Sequence, residues 1–142
     1  MAGDSRHHDW RRRNGTGERM KIQESAQDYL ESILILSQTR THVRATDICK
    51  YFGYARATVS VSLKQLRENG YVSVDSQKNI TLTESGNKIA SEMYERHLFL
   101  TRFFTQIGVP KDIAAKDACR VEHYISAETF NCMKAFYEKM QG

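Results

Sequence analysis

The sequence predicts a mainly α-helical protein with one small β-hairpin set between two helical halves. Three observations carry that expectation. Apolar residues recur at helical spacing over most of the chain. Two short β-rich runs, Tyr71-Val72-Ser73-Val74-Asp75 and Ile80-Thr81-Leu82, flank the polar turn Ser76-Gln77-Lys78-Asn79. Glycines stand where helices should stop, at Gly53, Gly70 and Gly108. At 142 residues and 40% apolar, the chain suffices for one domain or for two small subdomains sharing a core.

From Met1 to about Lys21 the residues are mostly polar, with a basic cluster (Arg6, His7, His8, Arg11, Arg12, Arg13) around the only tryptophan, Trp10. Such a composition cannot bury enough surface to offset its ordering entropy, so residues 1–22 are expected to form a mobile tail. A DNA-contacting arm is the rival reading. From Glu24 to about Gln38, Ala26, Tyr29, Leu30, Ile33, Leu34 and Leu36 mark an amphipathic helix. A short helix, Ala45 to Phe52, should end at Gly53, and another should run from about Arg56 to Glu68 and end at Asn69-Gly70. Two helices joined by a tight glycine-containing turn form a helix-turn-helix. In the second, Val59, Leu63 and Leu66 make the buried stripe, which leaves Arg56, Ala57, Ser60, Val61 and Lys64 outward. Small or polar outward residues with flanking cations suit a helix that enters a major groove. The hairpin that follows is then a wing, with Lys78 at its tip to meet a phosphate. Arg56, Ala57, Thr58, Ser60, Lys64 and Lys78 are the candidate DNA-contacting residues, and 23–82 the winged helix-turn-helix.

Thr83 is a good N-cap for a long helix to about Ile107, whose C-terminal half is apolar on more than one side. That pattern calls for a second subunit as well as the helix's own chain. Pro110 opens a further helix to about Ile125, and Ser126 caps a last one carrying Phe130, Met133, Phe136, Tyr137 and Met140. Residues 83–142 are therefore read as a helical second domain.

Composition narrows the function classes. Twenty-one Lys and Arg against 17 Asp and Glu give a net charge of +4 and a pI near 9.0, which leans towards a polyanionic partner. The cysteines Cys49, Cys119 and Cys132 are odd in number and widely spaced, which suits a reducing cytoplasm better than a disulfide framework. Cys49 and Cys132 are expected to pack as small apolar residues. The absence of a CxxC pair disfavours a closed zinc site. No segment approaches the roughly 20 apolar residues of a membrane span.

On the expected helix 110–125, Cys119, Glu122 and His123 stand at i, i+3 and i+4, placing a thiol, a carboxylate and an imidazole on one face. These are three metal-ligand types. Asp28 and Glu31 form a second pair at i, i+3, although acidic residues in a first turn also simply suit the helix dipole. His97 lies alone between the two groups. Spacing leaves open whether these pieces meet around an ion. Nothing supplies a separate general base or substrate cleft, so a metalloenzyme is the weaker reading.

With these residues in view, the chain resembles the diphtheria toxin repressor family, and more closely its short branch, the manganese transport regulators. The resemblance rests on Gln27-Asp28-Tyr29-Leu30-Glu31, on Asp47-Ile48 with Thr58-Val59-Ser60, and on Leu82-Thr83-Glu84-Ser85-Gly86. It continues through Glu95-Arg96-His97 and Cys119-Arg120-Val121-Glu122-His123-Tyr124-Ile125-Ser126, and so covers about Gln23 to Met140. It implies an N-terminal winged helix-turn-helix followed by a helical metal-binding and dimerisation domain, in a form ending before the SH3-like third domain of longer relatives. It also implies a cytoplasmic, non-enzymatic homodimer that represses metal-uptake genes from a palindromic operator when loaded with Mn(II) or Fe(II). Carried over position by position, the ligands fall on Asp28, Glu31, His97, Cys119, Glu122 and His123. The manganese branch typically has glutamate at the position of Cys119, whereas the iron-responsive branch has cysteine there and methionine at the position of Asp28. A thiolate also favours later metals such as Co(II) and Zn(II). Thr101 occupies the position of a glutamate in the longer members' ancillary site, so that site is not carried over. A metal-independent winged-helix regulator remains the alternative.

Overall fold

A computed structural model describes residues 18–141. Among these residues are six helices and one two-stranded antiparallel sheet. The helices are α1 (Glu18–Ser37), α2 (Ala45–Phe52), α3 (Arg56–Glu68), α4 (Glu84–Gln106), α5 (Lys111–Val121) and α6 (Ala127–Gln141). The strands, β1 (Val72–Val74) and β2 (Ile80–Leu82), separate α3 from α4. The mainly helical class with a β-hairpin wing is thus as expected.

Local chemistry explains most of the element ends. Gly53 closes α2 at φ 76°, a left-handed conformation that costs glycine nothing. At the other end of α2, the Asp47 carboxylate accepts the Arg44 N–H at 2.9 Å. Thr83 and Ser126 cap α4 and α5's successor α6 as expected, accepting the N–H groups of Gly86 (3.2 Å) and Thr129 (3.1 Å). Two boundaries differ from expectation. Helix α1 begins at Glu18, inside the span expected to be tail, because Glu18-Arg19-Met20-Lys21 are good helix formers with no breaker after Gly17. The rest of the tail, with Trp10 and its basic cluster, lies outside the described residues. Helix α5 stops at Val121, four residues earlier than expected, and the turn that follows is held by a side chain from α4.

The described residues form two compact units that divide between Ser91 and Glu92, within α4, later in the chain than the expected boundary at Leu82. The first unit is built on Tyr29, Leu30, Ile33, Val43, Ile48, Phe52, Val59, Leu63, Leu66, Val72, Ile80 and Ala90. Ala90 belongs to this core, which carries the first turns of α4 with it. Val59, Leu63 and Leu66 are buried, each worth roughly 1.5–3 kcal/mol. They fix the rotation of α3 and hence which of its residues face out. The strands pair Val72 with Leu82, Ser73 with Thr81 and Val74 with Ile80. The Ile80 N–H also bonds the Val43 carbonyl at 2.8 Å, joining the hairpin to the segment before α2.

In the second unit Phe99, Leu100, Ala118 and Phe130 form the core. The Phe99 ring lies 5.4 Å from Phe130, 5.5 Å from Tyr137 and 5.9 Å from Phe103, centre to centre. Of the apolar residues of α6, Phe130 and Tyr137 pack into this core, whereas Phe136 and Met140 are 60% and 68% exposed. One expectation for α6 needs correction. Cys132 is exposed rather than packed, because a helix that turns Phe130 inward carries residue 132 to the opposite side. Cys49 is half-buried against the first core, as expected.

Candidate functional site

The second unit assembles a metal-ligand cluster from two helices. His97 lies midway along α4; Cys119 is in the last turn of α5, and Glu122 caps that helix. Each of the three offers a ligand atom, and the three atoms lie within 4.8 Å of one another. The Glu122 side chain is fully buried, and its two oxygens face two imidazoles: Oε1 is 3.1 Å from His97 Nδ1, and Oε2 is 3.6 Å from His123 Nε2. The His123 side chain is 1% exposed. His97, at 25%, also lines a surface groove of about 500 Å³ with Leu98, Thr101 and Arg102.

A carboxylate, an imidazole and a thiol so close together, with a second imidazole on the carboxylate's other oxygen, suit a divalent cation. Burying a carboxylate is costly unless positive charge accompanies it, and neutral imidazoles offer nitrogen lone pairs to an ion. Mixed N, S and O donors suit Mn(II), Fe(II), Co(II) and Zn(II). The residues present therefore fit a labile metal site.

Of the six candidate ligands, the second unit brings His97, Cys119 and Glu122 within ligand range of one another and sets His123 against the second oxygen of Glu122. Asp28 and Glu31 lie one turn apart on α1 in the first unit, Asp28 half-buried and Glu31 buried. One refinement concerns the single helical face expected for Cys119, Glu122 and His123. The helix ends between them, so Cys119 projects from regular helix while Glu122 and His123 lie in its terminal turn.

A residue not singled out by spacing also belongs here. Arg96 Nη1 donates to the backbone carbonyls of Glu122 (3.0 Å) and Ile125 (2.8 Å). Its guanidinium carbon lies 5.5 Å from the centre of the Phe130 ring. Its position beside His97 was the only sequence signal, and the carbonyls it binds lie 26 and 29 residues away.

The first unit presents the other candidate surface. Arg56, Ala57, Thr58, Ser60, Val61 and Lys64 are all exposed on α3, Val61 to 59%. Lys78 is exposed at the wing tip and adopts φ 70°. The tip is a three-residue loop: Lys78 N–H bonds the Asp75 carbonyl at 3.0 Å, and Asp75 N–H bonds the Asn79 carbonyl at 3.1 Å. The Asp75 carboxylate accepts the N–H groups of Gln77 and Asn79, both at 2.9 Å, and the Asn79 side chain at 3.1 Å. These bonds, that of the Asn79 N–H foremost, hold the Asp75 carboxyl below the usual carboxylate range.

Comparison with known proteins places both surfaces in a shared setting. Residues 21–80 match the iron dependent repressor N-terminal DNA binding domain, and residues 83–141 match the iron dependent repressor metal binding and dimerisation domain. The transcriptional regulator MntR of Escherichia coli O6:H1 is 33% identical over 112 residues, covering 79% of this chain and 72% of its own. An uncharacterized HTH-type transcriptional regulator of Methanocaldococcus jannaschii is 30% identical over 122 residues, covering 84% and 98%. Among solved structures, a manganese-dependent transcriptional repressor in complex with manganese superposes with a TM-score of 0.70 at 30% identity, covering 78% of this chain. The present chain spans about half of that structure, 51%.

Proposed function

The chain belongs to the diphtheria toxin repressor and manganese transport regulator family of metal-dependent, DNA-binding transcriptional regulators, and on that premise we propose how its residues divide the work. The family's second domain is a metal-binding and dimerisation domain, so the partners are a divalent metal ion, DNA and a second copy of the chain. His97, Cys119, Glu122 and His123 hold the ion, and Asp28 and Glu31 on α1 complete its ligand set. The observation that carries the reading is the buried Glu122 carboxylate between His97 and His123, with Cys119 in ligand range of it.

When bound, the ion supplies a compact positive charge that several anionic and imidazole donors can share. The chain's residues do the rest. Ligands on α1, α4 and the end of α5 favour one arrangement of these helices when all engage, and an ion that binds this arrangement best stabilises it at the expense of others. Arg56, Ala57, Thr58, Ser60 and Lys64 of α3 meet base edges and phosphates in the major groove, and Lys78 of the wing meets a phosphate. In a two-fold dimer, the two α3 helices read the halves of a palindromic operator, spaced about 34–36 Å apart. The physiological ion is Mn(II) or Fe(II), and the regulated genes are those of metal uptake, acted on in the cytoplasm. An enzymatic role has no support, since the named relatives are transcriptional regulators.

The decisive experiment is a DNA-shift titration with and without Mn(II) and Fe(II), run on the natural chain and on Glu122→Ala/His123→Ala. The natural chain should bind operator DNA tightly only with metal, and the double variant should lose that stimulation. Metal-stimulated binding unchanged in the double variant would falsify the mechanism. Affinity insensitive to chelator would select the metal-independent regulator instead.

A further inference from the structure

The end of α5 poses a local problem. A helix terminus leaves its last carbonyls without intrahelical donors, and a left-handed glycine just beyond the end is the common remedy. None stands here: after Gly108 the next glycine is Gly142, and Glu122 caps α5 in right-handed helical conformation, φ −58° and ψ −26°. Local backbone donors serve the end itself, Glu122 N–H bonding the Ala118 carbonyl and the Tyr124 and Ile125 N–H groups the Val121 carbonyl, while the carbonyls of Glu122 and Ile125 just beyond it take a donor from α4. Both short bonds from Arg96, to the carbonyls of Glu122 and Ile125, leave from the single nitrogen Nη1, and the guanidinium carbon lies 5.5 Å from the centre of the buried Phe130 ring. One residue further along α4 is His97, whose Nδ1 meets the Glu122 carboxylate. Glu122 is thus gripped twice by neighbouring residues of one helix, through its backbone by Arg96 and through its side chain by His97.

We propose that Arg96 is a positioning residue of the metal centre, fixing the Glu122 peptide so that His97, Cys119 and Glu122 are presented to an ion as one preformed set. This rests on reading the cluster as a metal site. Donor atoms within 4.8 Å of one another come from helices joined by a loop, and their spacing is only as definite as the hold between α4 and the end of α5. Arg96 provides that hold where geometry matters most, at the residue that faces both imidazoles. Lysine is an incomplete replacement: its ammonium can donate to a carbonyl, but on a shorter and more flexible stem it holds the two carbonyls less rigidly than the planar guanidinium beside the Phe130 ring. Removing a group that orients a metal ligand typically costs about 10–100-fold in metal affinity.

The test is a Co(II) titration, without oxygen, of the full chain and its Arg96→Met, Arg96→Lys and Glu122→Gln variants, followed by the cobalt visible bands, with far-UV circular dichroism of the metal-free proteins. The expected result is an affinity loss of about 10–100-fold in Arg96→Met, with altered bands and unchanged helicity. Arg96→Lys, whose ammonium can still donate to a carbonyl, should recover part of it, and it remains an independent probe should Arg96→Met fail to fold. If Arg96 only staples the helix end, both variants will melt earlier yet bind Co(II) with natural affinity and spectrum while Glu122→Gln does not. That outcome overturns the proposal and leaves the metal site standing. Natural affinity and bands in Glu122→Gln would instead remove the metal-site reading, and the role of Arg96 with it.

Discussion

A carboxylate buried between two imidazoles has few stable arrangements, and Glu122 occupies one of them. As a proposed ligand beside it, Cys119 would set which ion is preferred, because a thiolate raises affinity for softer, later metals more than for Mn(II). Replacing Cys119 by serine should therefore weaken Co(II) and Zn(II) binding by a factor of about ten or more and Mn(II) binding far less, as competitive titration with a metal indicator would show. At the wing, the sign for Asp75 follows from its depressed pKa. Its contribution is fully present above the ordinary value of 3.8 and is lost as pH falls through the lower folded value. The amides of Gln77 and Asn79, followed by NMR during acid titration, should hold steady at neutral pH and move only below that value. At this scale the sequence was informative about chemistry and poor about reach. Cys119, Glu122 and His123 were visible because helical spacing groups them, whereas Arg96 was hidden because its partners are backbone atoms, which no residue type advertises. Asp28 and Glu31 were visible as a pair, but spacing along one helix says nothing about what lies opposite.

Elements were legible where they end in chemistry. Gly53 after α2, Thr83 before α4 and Ser126 before α6 each mark a terminus by satisfying or relaxing the backbone there. The start of α1 and the end of α5 were misplaced because neither is marked by a cap residue type legible in the sequence. Residues from Glu18 onward simply continue a favourable helix, and the turn beyond Val121 is held from α4. Another long-range constraint is Gly86 in the first turn of α4. A Cβ there would overlap the backbone carbonyl of Tyr71, which also accepts the Thr83 N–H at 3.0 Å. Alanine is worth about 1 kcal/mol over glycine inside a helix. A clash with backbone cannot be relieved by a rotamer change, and such overpacking costs about 1–3 kcal/mol or more. Gly86→Ala should accordingly lower the urea midpoint of the protein rather than raise it.

For the molecule as a whole, the order of three helices, hairpin and further helices was enough to place the architecture, while the family resemblance rested on residue runs in each half, from Gln27–Glu31 on α1 to Cys119–Ser126 at the end of α5. The division within α4 was not foreseen, since hydrophobic periodicity runs through residues 84–106 without marking which core each turn serves. One small feature of the first half bears on how binding strength and fold stability are related. A lysine held at φ 70° sits in a conformation that costs most L-residues about 1–2 kcal/mol, and asparagine adopts it more readily. Lys78→Asn should therefore melt no lower than the natural chain while binding operator DNA with a salt dependence shallower by about 0.9 in log–log slope, the loss of the one phosphate contact proposed for Lys78. In the wing tip, then, durability and grip are separate dials set by a single side chain, and improving the first is expected to loosen the second.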